Sequence, residues 1–247
     1  TIKVHGGADV KRYVRITPNG PIVTDSLKGY EGKPVAMWWV GHPTENPMLD
    51  YAYRMAPAKN LQQFRAAVAM ITCPGLNMQY ADSQGNIAWW AAAKIPVRPA
   101  HVNPKKILDG ASGRDEIQGY IPFDMNPHLV NPPGGIIVTA NNLSTARPVG
   151  PIAKLAGYFL AVDRAARIAQ LLSSKEKWSL EELQKVQTDT YASPGQWIIP
   201  TLKAVVDGNP ANMKGFNTAE RSTWETLAAW DRMSTAESNG TVIYHGL

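Results

Sequence analysis

The sequence predicts an α+β fold. Strand-like patterns gather in residues 1–142, helical patterns in residues 143–247, and neither an internal repeat nor a low-complexity linker is visible. Strands followed by helices is the order expected when helices segregate to one side or end of a sheet. A chain of 247 residues, 44% of them hydrophobic, can bury a sizeable core. No apolar run is long enough to cross a bilayer, so no membrane partner is expected. The opening, Thr1-Ile-Lys-Val-His-Gly-Gly7, carries neither an initiator Met nor a signal-peptide pattern and reads as the interior of a longer chain.

Residues 1–40 read as β structure. Ile2 and Val4 alternate with polar neighbours, His5 to Asp9 supplies a turn, and Val10 to Ile16 returns with a period of two. Pro18-Asn-Gly-Pro21 breaks the chain before Ile22, and the apolar run Val35–Val40 reads as a strand buried on both faces. Residues 41–57, with Pro43, Pro47 and Pro57, read as irregular. Asn60 and Gln63 have capping-box spacing ahead of a helix with Leu61, Phe64 and Val68 on one face. Leu76–Ala81 and Ile87–Ala92 read as a hairpin around Asp82-Ser-Gln-Gly-Asn86, with Gly85 placed for positive φ. Residues 94–135 are rich in Pro and Gly, and a loop of that length inside a compact chain is usually functional.

Asn131-Pro-Pro-Gly-Gly135 then feeds an expected short strand, Ile136–Val138, that stops at Asn141 and Asn142. Asn is a poor strand former, so the pair either shapes a turn or presents side-chain amides. An amide N–H is a neutral, fixed donor suited to a developing oxyanion. From the residues alone both readings stand. Helices are expected over Ala161–Leu172 (Ala165, Ile168 and Leu172 on one face), from a Ser179/Glu182 capping box, over Trp197–Val206, and over Ser222–Met233.

Several chemistries lack their signatures. The net charge is +5 and the pI near 9.2, yet basic residues are scattered, which argues against a nucleic-acid partner. Cys73 is single, so an internal disulfide is excluded, and its place before Pro74 reads as structural. His5, His42, His101, His128 and His245 are dispersed, without metal-ligand spacing. A Gly-x-Ser-x-Gly elbow, a P-loop and a dinucleotide fingerprint are missing from the sequence. Thr1 has the residue type of an N-terminal nucleophile, but Ile2-Lys-Val4 reads as strand interior and Thr1 as an incidental start. Of Trp38-Trp39 and Trp89-Trp90, one of each pair is expected in the core and the other is available to a pocket.

Longer motifs carry a resemblance. Tyr80-Ala-Asp-Ser-Gln-Gly-Asn-Ile87, Gly119-Tyr-Ile-Pro-Phe-Asp-Met-Asn-Pro127 and Asn131-Pro-Pro-Gly-Gly-Ile-Ile-Val-Thr-Ala-Asn-Asn142 resemble segments of the penicillin acylase (penicillin amidase) family. Asp163-Arg164-Ala-Ala-Arg-Ile168 and Ser179–Gln187 are similar to its following helices. The likeness implies part of an N-terminal-nucleophile hydrolase αββα sandwich with a helical subdomain. It also implies a precursor cut by itself into α and β chains, in which the new N-terminal Ser attacks an acyl amide. Asn141 matches the family's oxyanion donor, and Arg164 matches an Arg that helps order the site.

Asn19 stands where members usually have His. Val149-Gly-Pro-Ile152 offers no equivalent of a calcium-binding Asp, so no cofactor is expected here, with calcium left to the full-length enzyme. The nucleophile Ser is expected outside these residues, and the fragment alone is expected to be inactive. Expected partners are a small acyl amide, the remainder of the β chain and the α chain. The family implies a periplasmic or secreted location. A non-catalytic binding domain on the same scaffold is the alternative, and a Trp-based carbohydrate module a third reading.

Overall fold

A computed structural model describes all 247 residues apart from the side chain of Pro210. The first short ladder pairs β1 (Ile16–Thr17) with β2 (Gly20–Pro21) around the predicted break. Elsewhere in the first 40 residues only isolated bridges form, Ile2 with Val10 and Ile22 with Ala36. The strands expected over Val10–Ile16 and Val35–Val40 are therefore corrected. Apolar alternation does not make a ladder by itself: the bridges at Val10 and Ala36 are not continued by a partner strand, and Met37 and Trp39 are exposed.

Residues 41–57 are corrected in the other direction, because α1 spans Met48–Met55. Pro47 precedes its first turn, where a missing N–H costs nothing, so this proline starts a helix instead of breaking one. Helix α2 (Leu61–Val68) begins as expected: the Asn60 side chain accepts from Gln63 N at 2.9 Å. The Gln63 side chain reaches back one residue further, to Lys59 N.

The hairpin forms with its predicted bounds, β3 at Leu76–Ala81 and β4 at Ile87–Ala92. After a two-residue pairing of β5 (Pro96–Val97) with β6 (Gly119–Tyr120), β7 (His128–Val130) returns to β4 and gives the antiparallel order β3-β4-β7. The register sets Ala88 opposite Val130, Trp89 opposite Leu129 and Trp90 opposite His128.

Alternation puts Trp89 and Trp90 on opposite faces, and both are buried. Trp90 joins Tyr51, Val68 and Ile71 in the core, with Phe64 of α2 packed over it and against Tyr80. Trp89 donates through Nε1 to Asn77 Oδ1 at 2.9 Å. Buried Trp residues commonly find such a partner. Neither ring of this pair is left over as an exposed ligand platform. Cys73 is buried too, as a structural thiol should be.

The chain divides into two compact units, Thr1–Leu160 and Ala161–Leu247. The second is helical: α3 (Asp163–Leu172), α4 (Leu180–Gln187), α5 (Gly195–Val206), α6 (Pro210–Met213), α7 (Thr218–Ala228) and α8 (Asn239–His245). The Ser179/Glu182 capping box is complete in both directions. Helix α7 starts before the expected Ser222 because Asn217 and Glu220 form a second box, and it ends at Ala228 instead of Met233. Ile199, Trp224, Leu227 and Trp230 form the core. Gly240 is required where α8 crosses Trp230, since a Cβ there would lie 2.5 Å from the indole. Arg167 of α3 clamps Asp189 with two bonds of 2.9 and 2.8 Å and lies over the Tyr191 ring. Among the described residues, no helix is long and apolar enough to cross a membrane.

Candidate active site

The segment that leaves β7 starts at Asn131, which adopts φ +45°, a left-handed conformation that Asn tolerates better than most residues. Pro132 to Gly135 form a turn, with Gly135 N donating to Pro132 O at 2.8 Å. Gly135 has φ +64°, a value glycine adopts without Cβ strain. The strand expected at Ile136–Val138 is corrected: the residues lie outside every strand and bridge. Gly135 just before that run and Asn141 beyond it have positive φ, so the backbone direction changes before a ladder can extend.

The two amides then separate in role. Asn142 turns back on the chain, its Oδ1 accepting from Ala140 N at 3.0 Å and its Nδ2 donating to Leu143 O at 3.3 Å. Asn141 takes φ +62°, and its carbonyl accepts from Leu160 N at 2.9 Å. Ala140 just before it is buried, whereas Asn141 is exposed. The turn-shaping reading thus fits Asn142. Asn141 has the accessible position and a backbone fixed on both sides, the setting a preorganised donor needs.

Arg164 is the second residue of α3 and is exposed. It belongs to the second unit and Asn141 to the first. Two of the histidines occupy ordinary polar niches. His101 Nε2 lies 2.9 Å from Asp115 Oδ1, and His128 Nδ1 lies 2.8 Å from the Asn126 carbonyl.

Sequence reasoning did not single out a cleft of about 410 Å³ in the first unit, lined by Leu61, Gln62, Arg65, Trp90, Asp124 and His128. The i, i+1, i+4 spacing on α2 was legible. That Asp124 and His128 would face it depended on β7 returning to β4. Arg65 pairs with Asp124 at its rim. Among the described residues no group of three or more His, Cys, Asp or Glu could hold a metal ion.

The Penicillin amidase family model matches residues 1–247. The chain belongs to that family. It is 28% identical to penicillin acylase 2 proenzyme of Pseudomonas sp. strain SE83, over 99% of this chain and 30% of the relative. It is also 28% identical to penicillin G acylase of Escherichia coli, over 86% of this chain and 23% of that protein. With acyl-homoserine lactone acylase QuiP of Pseudomonas fluorescens the identity is 26%, over 99% and 30%. The chain therefore spans 30% or less of these relatives' length.

The thermostable penicillin G acylase of Alcaligenes faecalis superposes with a TM-score of 0.72 at 22% identity, covering 96% of this chain and 41% of that one. The α+β expectation and the N-terminal-nucleophile hydrolase fold hold.

Proposed function

We propose that this chain is part of an amidohydrolase that cleaves an N-acyl amide, and that its nucleophile is an N-terminal Ser outside these residues. In this reading the Ser Oγ attacks the acyl carbon while the α-amino group takes its proton. The charge collects on the former carbonyl oxygen, and Asn141 Nδ2 donates to it. Collapse expels the amine, protonated by the same α-amino group, and water then releases the acid from the acyl-ester. Arg164 is assigned the supporting role of ordering the Asn141 side.

The observation that carries this reading is the placement of Asn141, exposed on a left-handed turn whose carbonyl is held by Leu160 N at 2.9 Å. Relatives named for penicillins and for acyl-homoserine lactones match at nearly equal identity, 28% and 26%, so the substrate is proposed at the level of an acyl amide. A periplasmic or secreted location is part of the same proposal.

The test uses protein from the complete reading frame. N-terminal sequencing of its mature chains is expected to find one that begins with Ser and continues into Thr1-Ile-Lys-Val4. A single uncut chain would instead favour a binding scaffold without chemistry. Asn141→Ala is expected to lower kcat by about 10²- to 10³-fold with the fold intact. A fully active variant would overturn the assignment.

A further inference from the structure

The two motifs that mark the first unit are joined by side chains, and the joint lies where the Asn141 segment departs. The Asp82 carboxylate accepts Gln84 N at 2.9 Å and Asn86 N at 3.0 Å through Oδ1, and Asn86 Nδ2 at 2.9 Å and the Tyr80 hydroxyl at 3.0 Å through Oδ2. These bonds orient the Asn86 amide with its nitrogen toward Asp82, so its oxygen faces the other way. That oxygen accepts from Asn131 Nδ2 at 3.0 Å. The turn needs no such partner, since backbone bonds Asp82 N to Asn86 O and Gly85 N to Asp82 O close it already.

Asn131 also replaces a rung of the sheet. The last register pair of β4 with β7 is Ala88 with Val130. One step on, Asn131 N donates to Ile87 O at 2.9 Å, and Ile87 N donates back to Asn131 Oδ1 at 2.9 Å. An antiparallel rung would use the main-chain carbonyl. The side-chain oxygen takes its place, and the backbone is free to turn away at φ +45°. Pro132 and Pro133 then restrict the path, and Leu160 N holds the Asn141 carbonyl at 2.9 Å.

We propose that Asp82, Asn86 and Asn131 form a positioning relay that fixes where the Asn141 segment leaves the sheet, and so where the Asn141 amide stands relative to the reacting carbonyl. This rests on the reading of Asn141 as oxyanion donor. Asn131 requires both ends of its amide: Oδ1 for Ile87 and Nδ2 for Asn86. Asp at this position keeps the first and sets an acceptor against the Asn86 oxygen. Gly keeps the backbone conformation and removes both.

The relay is tested in the complete, matured enzyme with Asn131→Asp and Asn131→Gly. Each is expected to lower kcat by about tenfold, short of the roughly hundredfold that a 1 Å misplacement can cost, with KM little changed. In an Asn141→Ala background the same changes are expected to add no further loss, because groups acting through one another are not additive. Adding Asp82→Asn to Asn131→Asp should recover activity. The new amide can donate to Asn86 Oδ1, and the Asn86 amide then turns its nitrogen toward position 131.

Wild-type kcat in both single variants, losses that add to that of Asn141→Ala, or no recovery on adding Asp82→Asn would each overturn the relay. Full activity of Asn141→Ala alone would instead remove the oxyanion reading, so the two failures are distinguishable.

Discussion

Asn126 is the residue whose replacement tests the architecture of the first unit most directly. It follows the short 3-10 turn Phe123–Met125 and precedes β7, and its side chain is 1% exposed. Its Nδ2 donates to Ala91 O at 2.9 Å and Ala93 O at 2.8 Å, closing the end of β4, while Oδ1 has no partner among the described residues. Asn126→Ala removes two bonds worth about 1 kcal/mol each and leaves two carbonyls to find other donors. It also removes the orphaned oxygen, which offsets about 1 kcal/mol. With about 1–2 kcal/mol more for the carbonyls left without that donor, the net expectation is a loss of about 2–3 kcal/mol.

Asn126→Asp should be worse near neutral pH, because an unpaired buried carboxylate would face two carbonyl oxygens. That burial raises the folded pKa of the introduced acid above its unfolded value. The variant therefore loses stability as pH rises through the unfolded pKa and recovers as pH falls below it. Urea unfolding followed by Trp fluorescence, with an unchanged denaturant slope, measures both variants. A loss below about 1 kcal/mol for Asn126→Ala, or an Asn126→Asp variant equally stable at neutral and acid pH, would refute the assignment of Asn126 as the clamp on β4.

Two further outcomes are expected in the helical unit. Arg167 holds the Asp189 carboxyl below its ordinary value, chiefly through its paired hydrogen bonds. A lowered folded pKa means stability that is present above the unfolded value of about 3.9 and lost as pH falls through the folded one. Replacing Arg167 with Met keeps an apolar stem and should weaken that acid-side dependence in an unfolding-midpoint titration below about pH 4; an unchanged acid limb would count against the pair. Asn217→Ala removes the N-cap of α7 and should cost about 1 kcal/mol by urea unfolding, Asn217→Gly only a few tenths. An Asn217→Ala variant as stable as the wild type would show that the cap bond to Glu220 N is not what matters there.

Local signals were legible wherever the physics was local. The Asp82–Asn86 turn, the period of two on either side, and the Asn60 and Ser179 caps each lie within a few residues, and they set β3, β4, α2 and α4. Family motifs put Asn141 and Arg164 forward as candidates, the one at the end of the Asn131–Asn142 segment and the other at the start of α3. The same reasoning failed where pairing or context decided. Val35–Val40 is apolar enough for a strand but lacks a ladder partner beyond Ala36. Pro47 could break a chain or start a helix, and the packing of Tyr51 into the core favours the helix.

Tertiary structure set Asn141 and Asn142 in different surroundings, which the local signals of two adjacent identical residues could not do. One amide folds onto its neighbours and the other stands exposed, according to backbone torsions and the distant Leu160 N–H. It alone also joined Asn86 to Asn131, because a bond across 45 positions forms only after β7 returns beside β4. Sequence by itself determined what could form within one turn of helix or one hairpin. Which polar side chains meet was decided by sheet register, a property of the folded chain that no short window contains.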